Sequence, residues 1–151
     1  KEINYDELSS KMSNLGAKLI IEALDLIENG KAKFISQNDK DATYAKKIEK
    51  TESKINWNLD AKTIVAKINA LHSNPGSWFE LKGSRIKIIK AIEVKAKAEP
   101  GKIIGKDFII GCSQNAVQIV ELKKEGKNNI SAADFIKGNE LEVGYNIIID
   151  A

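Results

Sequence analysis

The chain has 151 residues, 42% of them hydrophobic and 6% aromatic, and its 24 Lys and Arg against 21 Asp and Glu give a formal charge of +3. That length suits one domain plus an appendage, and no apolar run approaches the ~18 residues of a membrane span. A single cysteine, Cys112, excludes an internal disulfide and a cysteine-cluster zinc site.

Residues 1–30 read as one helix. Asn4 and Glu7 have capping-box spacing. Leu8, Met12, Leu15, Leu19, Ala23 and Leu26 recur every three or four residues, and Ile20, Leu24 and Ile27 widen the stripe. Asn29-Gly30 is a stop signal. So broad a stripe needs a surface to pack on, and the polar segment that follows offers little. The helix is therefore expected to belong to a domain upstream of Lys1, with a core helix of the same domain as the alternative. No secretory pattern opens the chain, and its start at Lys1 without methionine reads as a piece of a longer protein, while its cysteine usage is compatible with a reducing, cytoplasmic setting.

Residues 31–54 carry few apolar side chains, chiefly Phe34, Ile35, Tyr44 and Ile48. They show neither helical nor strand period, and a loop of this length suits a linker between domains. A second helix follows, with Asn58 or Asp60 as cap and Ala61, Ile64, Val65, Ile68 and Leu71 on one face. Ser73-Asn74-Pro75-Gly76 ends it.

From Trp78 the period changes to two. Trp78, Phe79 and Leu81 lead into a turn at Lys82-Gly83-Ser84. Ile86 and Ile88 then alternate with Arg85 and Lys87, which predicts a strand with one apolar and one cationic face. Pro100-Gly101 marks another turn. Strand signals recur at 102–104, 108–112, 116–122 and 145–149, a spacing that suggests a small barrel. Ser131 opens a short helix with Asp134 at its third position, and Gly138 is expected to close it. The fold class expected is α+β, mainly β with flanking helices. It would be a small barrel preceded by a helix (1–30) and a long linker (31–54).

Charge is unevenly spread. Residues 1–30 hold 3 Lys against 6 acids, 31–54 hold 7 Lys against 4, and 82–102 hold 7 Lys or Arg against 2. Two basic segments form the footprint that a polyanion needs; the plainer reading is a solvated lysine-rich surface. The cations are Lys46, Lys47, Lys50 and Lys54 in the linker, Arg85, Lys87 and Lys90 on the strand, and Lys102, Lys106, Lys123, Lys124 and Lys127 in or near later turns. Lysine suits phosphates but does not specify bases. Trp57, Trp78 and Phe79 are read as core residues, not as a stacking platform. Lone His72 before Pro75 is expected to cap a carbonyl or face solvent, and Cys112, in Phe108-Ile109-Ile110-Gly111-Cys112, to be a buried thiol. There is no phosphate loop, nucleophile elbow or Gly-x-Gly-x-x-Gly, so an independent active site or metal is not expected.

Several stretches in order carry a resemblance. Ala42-Thr43-Tyr44-Ala45-Lys46-Lys47-Ile48 looks like the linker signature of methionyl-tRNA formyltransferases, and Ile55-Asn56-Trp57-Asn58 resembles their next motif. Ser73-Asn74-Pro75-Gly76-Ser77-Trp78 stands where that family has Asn-Pro-Trp-Pro-Gly, without the interposed tryptophan and second proline. Glu121-Leu122-Lys123-Lys124-Glu125-Gly126-Lys127 and Ser131-Ala132-Ala133-Asp134-Phe135 are similar to later family motifs, and Gly144 falls near a terminal Pro-Gly.

The resemblance implies the C-terminal part of such an enzyme: the last helix of a formyl-transfer domain (1–30), the interdomain linker (31–54) and a C-terminal OB-like Greek-key barrel (55–151). The whole enzyme would move a formyl group from its co-substrate 10-formyltetrahydrofolate to methionine on initiator tRNA, with catalytic residues upstream and no cofactor in this chain. Initiator methionyl-tRNA and the upstream catalytic domain are the implied partners, with no membrane. Lys46, Lys47 and Lys50 are the first tRNA-binding candidates, followed by Lys54, Arg85, Lys87, Lys90, Lys123, Lys124 and Lys127. A related small-molecule formyltransferase and a protein-interaction domain remain as alternatives.

Overall fold

The computed structural model describes residues 3–148. In chain order its elements are α1 (Tyr5–Glu28), α2 (Ala61–Leu71), β1 (Ser77–Leu81), β2 (Ser84–Val94), β3 (Ile103–Gly105), β4 (Ile109–Gly111), β5 (Ala116–Lys124), β6 (Ile130–Ser131) and α3 (Ala132–Asn139), with 3-10 turns at Asp39–Asp41 and Lys50–Ser53. The chain divides into two compact units, one formed by Asp6–Ile48 and a larger one holding the described residues from Glu49 onward.

In the smaller unit, α1 ends where the Asn29-Gly30 signal placed its stop. Gly30 takes φ +64, and the Lys31 N–H reaches back to the Leu26 carbonyl at 2.8 Å. The left-handed residue lets the chain satisfy a terminal carbonyl that the helix leaves open. The apolar stripe forms as the period predicts, yet no residue of α1 is buried. Among the described residues no helix is long and apolar enough to cross a membrane.

The larger unit is a mostly antiparallel sheet with helices against it. Strand order is β1-β2-β5-β4-β3, and β6 pairs with β5. The β1–β2 hairpin turns through Lys82 at φ +47 and Gly83 at φ +69. Two positive φ angles match the right-handed twist of the flanking strands. β2 then pairs with β5, which is distant in sequence, so the β3–β4 hairpin is the excursion that makes the order Greek-key-like.

Alternation sends Phe79, Leu81, Ile86 and Ile88 inward, and Ile119 and Leu122, on either side of the register change between β2 and β5, are buried with them. α2 covers them with Ala61, Ile64, Val65, Ile68 and Leu71, and Asp60 caps it by accepting from the Thr63 N–H at 2.9 Å. A run of aromatic contacts crosses the core. Trp57 meets Phe79 edge-on at 5.8 Å, Phe79 meets Phe108 at 6.3 Å, and Phe108 stacks on Phe135 at 5.7 Å. Cys112 is buried, as expected.

Three expectations are corrected, and one unexpected element is present. Residues 145–149 form no strand among the described residues; Asn146 makes a single bridge to Lys102, and Ile149 lies outside them. Gly138 does not close α3, which runs to Asn139 and stops at Glu140 in the left-handed region. The Asn139 side-chain amide caps it by donating to the Phe135 carbonyl at 2.8 Å, so a polar side chain and a left-handed Glu replace the glycine stop. β6 went unforeseen because two residues carry no period. Trp78 is not core: with Ser77, Phe79 and Leu81 inward, the pleat turns it outward.

Candidate nucleic-acid interface

The outward face of β1, β2 and β5 gathers cations. Trp78 on β1 stands opposite Lys87 on β2, and Lys87 stands opposite Lys123 on β5. The three form a row across adjacent strands. Lysines directly opposed in a sheet repel, so the row favours an anion laid over it.

A cleft of about 490 Å³ opens on this face. The 3-10 turn supplies Lys50 and Ser53, the loop after α2 supplies Asn74 and Pro75, the strands supply Trp78, Arg85, Lys87 and Lys123, and the turn after β5 supplies Glu125 and Gly126. Four cations thus face one acid. The Arg85 guanidinium carbon lies 4.1 Å from the Trp78 ring centroid, and Lys54 Nζ lies 5.4 Å from it. Lys54 also pairs with Glu80 at 3.6 Å.

Lys87 is the most constrained of these cations. Its ammonium donates to the Ser73 carbonyl at 3.3 Å. Its side chain lies over Gly76, where a Cβ would come within 2.5 Å of the lysine Cε. Partial burial, and secondarily the charge of Lys123, pull its pKa below the ordinary lysine value.

Of the cations expected from sequence, Lys50, Arg85, Lys87 and Lys123 come together in the cleft, and Lys54 flanks it on Trp78. Lys90 does not join them. β2 changes register on both sides of it, and it stands opposite Glu121. Lys124 stands opposite Ile86, and Lys127 follows in a turn closed by its N–H on the Lys124 carbonyl. Lys46 and Lys47 are exposed residues of the Asp6–Ile48 unit. Sequence reading missed Ser53 and Trp78 as site residues. Trp78 was reachable, because in an alternating strand Trp78 and Phe79 cannot both face the core. Ser53 carried no signal.

Among the described residues no group of three or more His, Cys, Asp and Glu could hold a metal ion. The geometry gives a small antiparallel barrel unit with a cationic, partly aromatic cleft. The chain belongs to the formyl transferase C-terminal domain family, since the model "Formyl transferase, C-terminal domain" matches residues 47–140.

Methionyl-tRNA formyltransferase of Pelagibacter ubique (strain HTCC1062) is 37% identical over 145 residues, 95% of this chain and 47% of that protein. The Bradyrhizobium diazoefficiens protein of the same name is 34% identical over 142 residues, 91% of this chain and 46% of its own. The chain thus spans about half the length of the curated relatives it matches. Among solved structures, HypX from Aquifex aeolicus in complex with tetrahydrofolic acid superposes with a TM-score of 0.62 at 24% identity, over 79% of this chain and 22% of that one. A multiply substituted HypX variant gives 0.64 at 22% identity, over 85% and 24%. At these identities the two share the fold.

Proposed function

We propose that the unit from Glu49 onward is the tRNA-holding part of a methionyl-tRNA formyltransferase, gripping the RNA through phosphates. The observation that carries this reading is the convergence of Lys50, Arg85, Lys87 and Lys123 on one cleft, in a chain whose relatives bear that name. The whole protein would formylate methionine on initiator tRNA in the cytoplasm, using 10-formyltetrahydrofolate. That chemistry belongs to the half of the relatives this chain does not span, so the chain alone is inactive. The exposed stripe of α1 is where an upstream catalytic domain packs. Lys46, Lys47, Lys54, Lys90, Lys124 and Lys127 extend the phosphate contacts beyond the cleft.

The test is binding of this chain to initiator and elongator tRNA across a salt series. The four cleft cations alone give a slope of roughly −3 to −4 in log affinity against log salt, and each outer lysine that engages a phosphate steepens it. Steep salt dependence with little discrimination between the tRNAs supports the reading, because phosphate contacts position and do not specify. No binding at low salt overturns it.

A further inference from the structure

The cleft contains one group that the protein itself does not use. Ser53 is 2% exposed, and its hydroxyl has no hydrogen-bond partner among the described residues, yet the residue lines the cationic cleft. A buried hydroxyl ordinarily finds a partner. The backbone around Ser53 is pinned at both ends of its turn. The Glu49 N–H donates to Glu52 Oε1 at 2.7 Å. Just beyond Ser53, the Ile55 N–H donates to the Trp78 carbonyl at 2.8 Å, tying the segment to β1.

Two further features point the same way. Lys87 and Lys123 stand opposite each other without an intervening acid in the register. Lys87 is laid over Gly76, a position that holds the ammonium near the loop instead of leaving it free in solvent. A hydroxyl donor and two ammonium donors suit an acceptor-only anion, and the tetrahedral oxygens of a phosphate accept from several directions.

We propose that Ser53, Lys87 and Lys123 form a discrete phosphate subsite that holds one phosphodiester of the bound RNA. It rests on the RNA-holding reading and deepens it: the surrounding lysines act as diffuse charge, whereas this position fixes one backbone phosphate and so sets the register of the RNA on the barrel. Glu125, the one acid in the cleft lining, sits in the exposed turn after β5.

The experiment compares the 151-residue chain with Ser53→Ala and Lys87→Met in tRNA titrations over a salt series, with thermal unfolding of each variant and with inorganic phosphate titrated against backbone amide NMR signals. Ser53→Ala is expected to weaken tRNA binding by about tenfold with unchanged salt slope and undiminished thermal stability, since the hydroxyl it removes is unpaired in the free protein. Lys87→Met is expected to weaken binding and reduce the slope by about one. Phosphate should shift the amides of Ser53 and Lys87 in the parent chain and not in Ser53→Ala. Equal tRNA affinity of the parent chain and both variants overturns the subsite while leaving the RNA-holding reading in place. Phosphate shifts combined with that equal affinity assign the cleft to a free phosphate and likewise overturn the proposal. Failure of the parent chain to bind any tRNA at low salt overturns both readings.

Discussion

Arg85 stands over Trp78, its guanidinium carbon 4.1 Å from the ring centroid, although the residue directly opposite Trp78 in the ladder is Lys87. The pair is diagonal across the β1–β2 hairpin, a separation that an aromatic and a long cationic side chain can span. The contact holds the guanidinium at the cleft instead of leaving it to sample solvent, and guanidinium planes stack on rings in a way that ammonium groups do not.

Replacing Trp78 by alanine should therefore cost little in folding and more in binding. A cation–π contact at a partly exposed site is worth about 0.5–1 kcal/mol, so urea unfolding should show a loss of about 1 kcal/mol. tRNA affinity should fall several-fold as Arg85 and Lys54 lose their common support. A folding loss of roughly 3 kcal/mol or more would return Trp78 to the core.

Phe108 gives the opposite case. It is fully buried between Phe79 and Phe135, and Phe108→Ala should destabilise the barrel unit by about 3–5 kcal/mol. Leu19→Ala, on the exposed face of α1, should leave barrel unfolding unchanged within about 0.5 kcal/mol. Denaturant midpoints of the two variants check the contrast.

Cys112 sets an alkaline limit. Burial first, and Asp60 in a smaller measure, push its thiol from 9.0 up to about 11, against a lowering by the Val117 backbone. The unfolded chain releases this proton earlier than the folded one. The thiol's contribution is therefore whole below pH 9 and is lost as pH rises from about 9 to 11. Cys112→Ala should flatten that part of a stability profile, and a thiol reagent at pH 8 should react with the native chain only as fast as it opens.

Asp60 acts at the other end. The Thr63 side chain, and then the Thr63 backbone, hold its carboxyl below the ordinary 3.8. Here the unfolded state binds the proton first as pH falls. The carboxylate's contribution is present above 3.8 and disappears as pH drops from there through the lower folded value. Asp60→Asn keeps an acceptor for the cap but does not titrate, so its acid unfolding curve should lose this component.

How much of the molecule the sequence revealed depended on the range of the interaction involved. α1, α2 and the β1–β2 hairpin follow from periods of 3.6 and 2 and from Gly30, Asp60 and Gly83, all of which act within a few residues. The inward set of β2 was equally plain, because Ile86 and Ile88 leave Arg85 and Lys87 no other face. What stayed hidden was set by long-range pairing. Nothing near Lys123 says that it faces Lys87, and nothing near Lys90 says that a register change separates it from both. Ser53 enters the cleft only because the segment after it is tied to β1. Basic residues could thus be counted from the sequence, whereas their sorting into cleft and periphery needed the strand order.

The β2–β5 pairing also orders events in time. A chain emerging from synthesis presents its linker lysines and the cationic strand early, and both can attract a polyanion by charge. Lys123 arrives only after the β3–β4 excursion has been made, and it is β5 that seals the middle of the sheet. Until then the chain offers diffuse attraction without a fixed seat. The cleft thus depends on β5, and a chain ending short of that strand would keep most of the charge and lose the place.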